Sequence, residues 1–372
     1  MRSWHGPQPQ SIRLEHRRTR RRNRVRRAER RAASSDNVVT LSRGTRHCAA
    51  LTAALRAALR ARGRDGVQPE GTADQATETH PEAGAWVDGR WIQEPAVALH
   101  SSAALYGASV FDNCRAWRSS TTSRIYGLAE HIGRFKRSAQ EALLDLPPDA
   151  EIRAGVHEVL RRCTGSTFVR VRMLAYGTGQ DIGSRQSSLS VFALPVAGYA
   201  PSAPRLMTAK FTRRAEGDLP RALKSPSAYL RVRRDVASAR AAGYDDLVVL
   251  NEHERVSEAT RSNIILVKDG SLCTPPLHEG ALPGITKMIV RRLAIDTGTS
   301  WQERPISRNE LERADALLLT SSSLGVVVAK SLDGHPFASS LLADEMQRLY
   351  TRLPFENPDH ECLTDMITRE DA

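Results

Sequence analysis

The chain has 372 residues, 40% of them apolar, and a formal net charge of +12, which allows two lobes with cores of their own. It holds no run of about 18 apolar residues, so no transmembrane helix is expected. The charge is uneven: residues 1–64 carry 18 Arg, no Lys and three acids (Glu15, Glu29, Asp36), a balance of +15, so 65–372 carry −3. The basicity belongs to a preface, and the body is slightly acidic.

Only six lysines stand against 48 arginines, which makes each lysine a sparse candidate for chemistry. Five cysteines (Cys48, Cys114, Cys163, Cys273, Cys362) are widely spaced and form no C-x-x-C. Neither a disulfide framework nor a zinc site is indicated, and a reducing cytosol is the natural setting. The N-terminus has no apolar h-region, so no secretory signal is expected.

Taken in chain order, residues 1–34 are Arg-rich without interleaved aromatics. Residues 49–62 place Leu51, Leu55 and Leu59 on one helical face, and 63–82 are polar with Gly, Pro and Thr. The whole of 1–82 is expected to be a disordered extension, since like charges cannot build a core. A nucleic-acid or partner-binding arm is the alternative. Folded sequence is expected from Trp86, with 86–92 a hairpin around Asp88-Gly89. Residues 105–117 read as a loop entering a strand. Residues 127–144 read as a helix with Leu128, Ile132, Phe135, Ala139 and Leu143 on one face. In 167–175, Val169, Val171 and Met173 alternate with Phe168, Arg170 and Arg172. That pattern is a half-buried strand showing two arginines on its second face.

Residues 196–204 are small and Pro-containing and mark a link. Beyond it a strand is expected near 206–213, then a helix over 229–242 with Val232, Val236 and Ala239 inward and Gly243 as its stop. A strand over 247–250 follows, then a hairpin joining 263–267 to 271–273 across Lys268-Asp269-Gly270. Helices start after Pro283-Gly284 and at Ser307, where Ser307-Arg308-Asn309-Glu310 fits a capping box. The fold class is therefore α/β of the mixed α+β kind. Its expected parts are a small lobe over 83–195, the link over 196–204, a larger lobe over 205–350 and a tail over 351–372.

Lys224 sits in Ala222-Leu223-Lys224-Ser225 after a Pro-containing turn. Partial desolvation there lowers the pKa of an amine and frees it as a nucleophile. Tyr229 follows five residues on, within reach of a ring held by that lysine. Glu258, in Arg255-Val256-Ser257-Glu258-Ala259, is expected in a turn between strands, where a carboxylate can pair with a protonated ring nitrogen. Gly284-Ile285-Thr286 offers free backbone N–H groups at a helix start. Ser321-Ser322-Ser323 ends an apolar strand with hydroxyls, and Arg134 projects from the first lobe's helix as a phosphate clamp. Singly, each has an ordinary alternative: an exposed lysine, a core tyrosine, a turn carboxylate paired with Arg255 or Arg261. Together, an amine, a carboxylate and two anion-binding backbone sites are what an enzyme needs to hold pyridoxal 5′-phosphate (PLP). Gly177-Thr178-Gly179 with Gly183 is one residue off G-x-G-x-x-G and opens no evident helix. No G-x-S-x-G, Walker A or H-E-x-x-H sequence occurs.

Further motifs lie in order. They are Tyr106-Gly107-Ala108-Ser109-Val110-Phe111 with Arg115-Ala116-Trp117, Glu130-His131 with Arg134 and Ser138-Ala139, and Phe168-Val169-Arg170. Then come Tyr229-Leu230, Ala241-Ala242-Gly243-Tyr244, Ser257-Glu258 with Ser262-Asn263, Leu282-Pro283-Gly284-Ile285-Thr286, and Ala314-Asp315 through Thr320-Ser321-Ser322. On these, from about Trp86 to Leu332, the chain resembles the class IV (fold-type IV) PLP-dependent aminotransferases, most of all the branched-chain amino acid aminotransferases. The resemblance implies two lobes with the site between them and Lys224 as the Schiff-base lysine. Glu258 would pair with the pyridine nitrogen and Tyr229 with the phenolic oxygen. Phosphate contacts would come from Arg134, Ile285, Thr286, Ser321 and Ser322. Substrate contacts would come from Tyr106, Phe111, Arg115, Phe168, Arg170 and Ser323.

The resemblance also implies a cytoplasmic homodimer in which Tyr106 reaches the neighbouring subunit's site. An amino group would pass from an amino acid to a 2-oxo acid, expected to be 2-oxoglutarate. The chain departs from the family pattern at Asp112-Asn113 (usually Glu-Gly), at Phe168 (commonly Tyr) and at Ser322 (commonly Thr). Loss of the tyrosine hydroxyl removes a carboxylate donor, so the amino donor need not be a branched-chain amino acid. Aminodeoxychorismate lyase, in which the same lysine drives elimination of pyruvate, and a D-amino acid transaminase are the same-fold alternatives. A nucleic-acid-binding protein built on the Arg-rich arm is the alternative of another class. No metal, no membrane and no nucleic-acid partner of the body is expected.

Overall fold

The computed structural model describes residues 84–119, 121–163, 168–195, 203–213 and 223–368, all within one compact unit. Expectations for 1–82 and for most of the link at 196–204 lie outside the described residues. Strands β1 (Ala85–Val87) and β2 (Arg90–Ile92) form the expected hairpin. Asp88 and Gly89 take φ of 46° and 85°, the left-handed pair that a tight two-residue turn between twisted strands requires.

The hairpin edges a seven-stranded antiparallel sheet of order β17-β4-β3-β5-β6-β1-β2. Its other members are β3 (Ser109–Arg118), β4 (Thr122–Tyr126), β5 (Phe168–Gly177), β6 (Ser187–Pro195) and β17 (Leu363–Thr368). Helices α2 (Leu128–Glu141) and α3 (Asp149–Arg162) pack on one face, and short α1 (Ser102–Tyr106) precedes β3. Leu128, Ile132, Phe135 and Ala139 of α2 meet Cys114, Ala116, Val169, Val171 and Met173 in one core. Burial of side chains such as Phe135 and Leu160 stabilises by about 1.5–3 kcal/mol each before chain entropy is subtracted. The helix ends earlier than its apolar spacing suggests, because Leu143 is exposed and turns the chain at φ 54°.

The period-2 pattern of β5 appears as alternating buried and half-buried residues. In register with β3, Arg172 faces Asn113, Arg170 faces Arg115, and Phe168 faces Trp117. Those residues occupy the face away from α2, and that face becomes a wall of the cavity described below.

A second sheet has the order β12-β11-β10-β13-β14, a third β16-β15-β7-β8-β9, where β12 is Ser300–Glu303, β14 Gly325–Val328, β15 Ser331–Leu332 and β16 His335–Pro336. In the second sheet, β10 (Asn263–Lys268) and β13 (Ala316–Ser321) are buried on both faces. Ile265, Val267 and Leu318 pack with helices α5 (Ile285–Asp296) and α7 (Leu341–Glu356). Ile264, Leu266, Leu317 and Leu319 pack with Leu206, Val248 and Leu250 of β7 (Arg205–Arg213) and β8 (Asp246–Asn251). Such two-sided burial explains the continuous apolar runs. Helix α4 (Ala228–Ala241) buries Ala239 alone; Val232 and Val236 are half-buried. The hairpin β10–β11 (β11, Ser271–Thr274) turns at Asp269 and Gly270, φ 48° and 71°. Ser307 caps α6 (Arg308–Glu312) with the expected capping box.

Several elements have no counterpart in the sequence reading, among them α3, β4, β6 and α7. The segment set apart as a tail supplies the last turn of α7 and then β17, which pairs with β4 in the first sheet. The first sheet thus takes strands from both the first and the last of the described residues. A Cβ on Gly127, at the start of α2, would stand 2.9 Å from Ile285 Cγ2 at the start of α5. Two helix starts therefore meet at the cavity rim.

Candidate active site

Between the arginine face of the first sheet and the ends of β9, β10 and β13 lies a cavity of about 490 Å3. Strand β9 is Val256–Ala259.

Lys224 enters this cavity from a segment pinned on both sides. Its N–H donates to Ser138 Oγ on α2 at 3.0 Å, and its carbonyl accepts from Phe111 N–H on β3 at 3.0 Å. The next residue, Ser225, donates its hydroxyl to the Ser109 carbonyl at 2.8 Å. The Lys224 ammonium lies 4.9 Å from the Phe111 ring centroid. Burial, and then the charge of Arg134, pushes its pKa down to about 8, against the pull of Asp112 and Glu258. Tyr229, on the first turn of α4, stands 6.0 Å from Phe111 between ring centroids. Burial, with Glu258 adding to it, raises its pKa.

Glu258 lies within strand β9 and not in a turn. Val256 to Ala259 are all buried and pair with β8, with Val249 opposite Glu258 and a register shift at Val249/Leu250. The apolar run of β8 needs a partner strand, so the turn falls earlier, at 252–255, where Glu254 takes φ 55°. The Glu258 carboxylate accepts from Leu282 N–H at 3.0 Å and Asn263 Nδ2 at 3.2 Å. Asn263 also donates to the Leu282 carbonyl at 2.8 Å. A Cβ at Gly284 would collide with the Asn263 amide oxygen, so glycine is what lets that amide sit beside the helix start. Gly284 is the N-cap of α5 and no side chain caps the helix. Its first N–H groups, at Ile285 and Thr286, open on the cavity.

The Ser321–Ser323 loop is held from behind. Arg115 Nε donates to the Ser322 carbonyl at 3.1 Å and Nη2 to the Ser323 carbonyl at 2.8 Å. Ser322 Oγ lies 3.3 Å from His131 Nε2, and His131 Nδ1 lies 2.7 Å from Asp112 Oδ1. Arg134 grips Asp112 with two bonds of 2.7 Å and donates to the Pro283 carbonyl at 2.8 Å. Burial alone would raise the Asp112 pKa, but the charge of Arg134, with the hydrogen bonds from Arg134 and His131, outweighs it and holds the carboxyl well below the usual range.

Of the site residues taken from the sequence, eleven line the cavity: Phe111, Arg134, Arg170, Lys224, Tyr229, Glu258, Ile285, Thr286, Ser321, Ser322 and Ser323. Three do not. Arg115, expected to touch substrate, is almost fully buried and grips the loop carbonyls. Phe168 lies under it, ring centroid 5.2 Å from Arg115 Cζ. Tyr106 is 54% exposed on α1. Arg134 lines the cavity, but its guanidinium is committed to Asp112 and Pro283.

Sequence reasoning assigned no role to Asn113, Arg172, Arg261, Asn263 or Thr320, all cavity-lining. A signal for Arg172 was present, since it shares a strand face with Arg170. Thr320 was reachable through its register opposite Asn263. Buried Arg170 Nε, Ser262 Oγ and Thr320 Oγ1 have no hydrogen-bond partner among the described residues. A cavity with an amine near neutrality, one carboxylate, an uncapped helix start and orphaned donors suits an anionic, ring-bearing ligand.

Comparison with known proteins points the same way. Residues 109–332 match the model of the amino-transferase class IV family. The chain is 27% identical over 261 residues to the branched-chain-amino-acid aminotransferase of Salmonella typhimurium, covering 67% of this chain and 84% of that protein. It matches the crystal structure of the branched-chain aminotransferase from Thermoproteus uzoniensis with norvaline at a TM-score of 0.71 and 29% identity, over 76% of this chain and 98% of that one. It matches the T.th. branched-chain amino acid aminotransferase complexed with N-(5′-phosphopyridoxyl)-L-glutamate at a TM-score of 0.71 and 26% identity, over 76% and 98%. With the family model covering more than half the chain and the fold agreeing, this protein belongs to the class IV aminotransferases.

Proposed function

We propose that the cavity is the active site of a PLP-dependent aminotransferase that moves an amino group from an amino acid to a 2-oxo acid, with 2-oxoglutarate as acceptor. The observation that carries this reading is the meeting of the Lys224 amine, the Glu258 carboxylate and the uncapped start of α5 around one cavity. When bound, PLP supplies the electron sink that makes the substrate Cα–H acidic. Lys224 would be the amine that holds the cofactor. Freed as a neutral amine, Lys224 would serve as the base and acid that moves the proton taken from the substrate Cα. Its depressed pKa suits both tasks.

Glu258, steadied by Leu282 N–H and Asn263, would keep the pyridine nitrogen protonated, and Tyr229 would hold the phenolic oxygen. Ile285, Thr286, Ser321 and Ser322 would hold the phosphate. Arg134 adds positive charge from behind and fixes Pro283 ahead of the helix start. Phe111, Arg170 and Ser323 contact the substrate. Arg115, with Phe168 beneath it, acts through the loop whose carbonyls it holds. In a homodimer, exposed Tyr106 would complete the neighbour's cavity.

A cytoplasmic setting agrees with four free cysteines among the described residues. No helix among them is long and apolar enough to cross a membrane. Transamination stands ahead of pyruvate elimination because the relatives matched over most of the chain are aminotransferases. The test is to load the purified protein with PLP, supply amino donors with 2-oxoglutarate and measure glutamate. Release of pyruvate from aminodeoxychorismate without glutamate formation would favour the lyase. No glutamate from aliphatic, aromatic or acidic donors would sink the reading.

A further inference from the structure

Among the groups in the cavity wall left over by these roles are the Arg172 guanidinium and the Asn113 amide. They stand opposite each other on β5 and β3, and Arg172 Nε donates to Asn113 Oδ1 at 2.9 Å. Arg172 Cζ lies 4.6 Å from the centroid of Phe111, the ring that the Lys224 ammonium also approaches. One hydrogen bond and one ring contact therefore fix the guanidinium against the ring that the reacting amine also approaches. Its two Nη groups have no hydrogen-bond partner among the described residues. Arg170, two residues earlier on the same face, keeps its buried Nε unpartnered among the described residues, and Arg261 lines the same cavity.

Against these charges the lining offers one carboxylate, Glu258, which already accepts from Leu282 and Asn263. Burial, followed by the charges of Arg172, Arg115 and Arg261, depresses the pKa of Arg170. Guanidinium groups crowded and partly desolvated in this way gain by binding anions. A lone α-carboxylate answers one of them. Positions two apart on a strand are separated by about 7 Å, a spacing that flexible arginines can match to the two ends of a short amino diacid. An aliphatic side chain there would leave a guanidinium desolvated and unpaired.

Resting on the aminotransferase reading above, we propose that Arg172, positioned by Asn113, is a second carboxylate-binding residue. With Arg170 it makes the cavity a site for dicarboxylic amino and oxo acids in preference to branched-chain aliphatic donors.

The test uses the PLP-loaded full chain and two unreactive mimics, glutarate and 4-methylvalerate, titrated by calorimetry, beside single-turnover rates with L-glutamate and L-leucine. Glutarate should bind at least about 30-fold more tightly than 4-methylvalerate. Arg172→Met should cut glutarate affinity by roughly tenfold or more and leave 4-methylvalerate equal or tighter. Arg172→Lys should restore it only partly, since the planar fork is lost. Asn113→Ala should weaken glutarate severalfold and spare 4-methylvalerate. Should Arg172→Met fail to fold, Arg172→Lys and Asn113→Ala carry the comparison. Equal binding of both mimics by the unmutated protein, or equal losses for both in the variants, would overturn the proposal. Fast turnover of leucine with weak glutarate binding would sink this inference and leave the aminotransferase reading standing. Turnover of neither donor class would sink that reading instead.

Discussion

His131 Nε2 lies 3.3 Å from Ser322 Oγ, and the pairing decides which way the serine proton points. Asp112, kept ionised by Arg134, needs an N–H from His131 Nδ1, 2.7 Å away. Burial lowers the His131 pKa despite the pull of Asp112, so the ring is neutral. A neutral imidazole that donates through Nδ1 accepts through Nε2, and Ser322 must therefore donate to it. On its cavity side that hydroxyl can only accept, so any anion there is held by the loop's backbone N–H groups.

Ser322→Ala should therefore change PLP affinity by less than about threefold and lower stability by about 0.5–1.5 kcal/mol. Cofactor titration and urea denaturation read the two. A tenfold loss of PLP affinity would mean that the hydroxyl faces the phosphate after all. The sign of the pH effect follows from the lowered His131 pKa. Its stabilising contribution is complete above the ordinary value of 6.5 and is lost as pH falls below it. His131→Gln should flatten that acid-side slope.

At Lys224 the pKa of about 8 sets how fast the cofactor-free protein captures PLP. At pH 7 roughly a tenth of such an amine is uncharged, against a few parts in ten thousand for an ordinary lysine. Covalent capture, followed as growth of the visible absorbance, should rise with pH and level off above about 8. Phe111→Ala opens the wall to water and should move that midpoint upward. Lys224→Ala should abolish the absorbance, borohydride trapping and turnover. Trapping at another lysine, with Lys210 and Lys287 the nearest rivals in sequence, would overturn the assignment.

What could be read from the sequence follows physical range. Local rules suffice for the Asp88-Gly89 turn and the Ser307 capping box, because turn and cap chemistry act over a few residues. The alternation of 168–173 displayed Arg170 and Arg172 on one face before any partner strand was known. Glu258 was misjudged as a turn residue because its strand exists only by pairing with β8. Arg115 drew a substrate role from motif position, yet its partners are carbonyls more than 200 residues away. No local pattern reports such a contact. The return of β17 to the first sheet is of the same long-range kind.

Because Arg115 satisfies both the Ser322 and Ser323 carbonyls, its removal should be felt by every substrate alike. Arg115→Met leaves the half-buried loop carbonyls without these donors, a cost of about 1–2 kcal/mol. We expect kcat/KM to fall by a similar factor for acidic and aliphatic donors. Arg115→Lys, which keeps the charge and a donor, should recover part of it. A loss confined to one donor class would return Arg115 to the substrate-contact role.

The excess positive charge lies in residues 1–64, and 65–372 carry −3. A chain beginning at Ala83 should therefore fold, dimerise and keep a comparable kcat, because the first sheet takes its strands from Ala85 onward. Size-exclusion and steady-state assays check this. Loss of dimer or cofactor would assign the arm a structural part.

Arg170 lies on the cavity face of β5, opposite Arg115, and its buried Nε has no hydrogen-bond partner among the described residues. A guanidinium so placed can grip the distal carboxylate of 2-oxoglutarate with two parallel bonds. Arg170→Met should then raise KM for 2-oxoglutarate sharply, while an apolar donor such as leucine suffers far less in its half-reaction. The loss of a charge-assisted contact of this kind costs about 2–4 kcal/mol, roughly 30- to 1000-fold in kcat/KM. The split matters more than the size. Removing a buried charge from a crowded arginine wall also relieves repulsion, so a protein weakened only in folding would lose both activities together, and one in which Arg170 is idle would lose neither. Preserved use of 2-oxoglutarate in Arg170→Met would pass the carboxylate to Arg172 or Arg261, and the double variant with Arg172→Met would then be the one to show the loss.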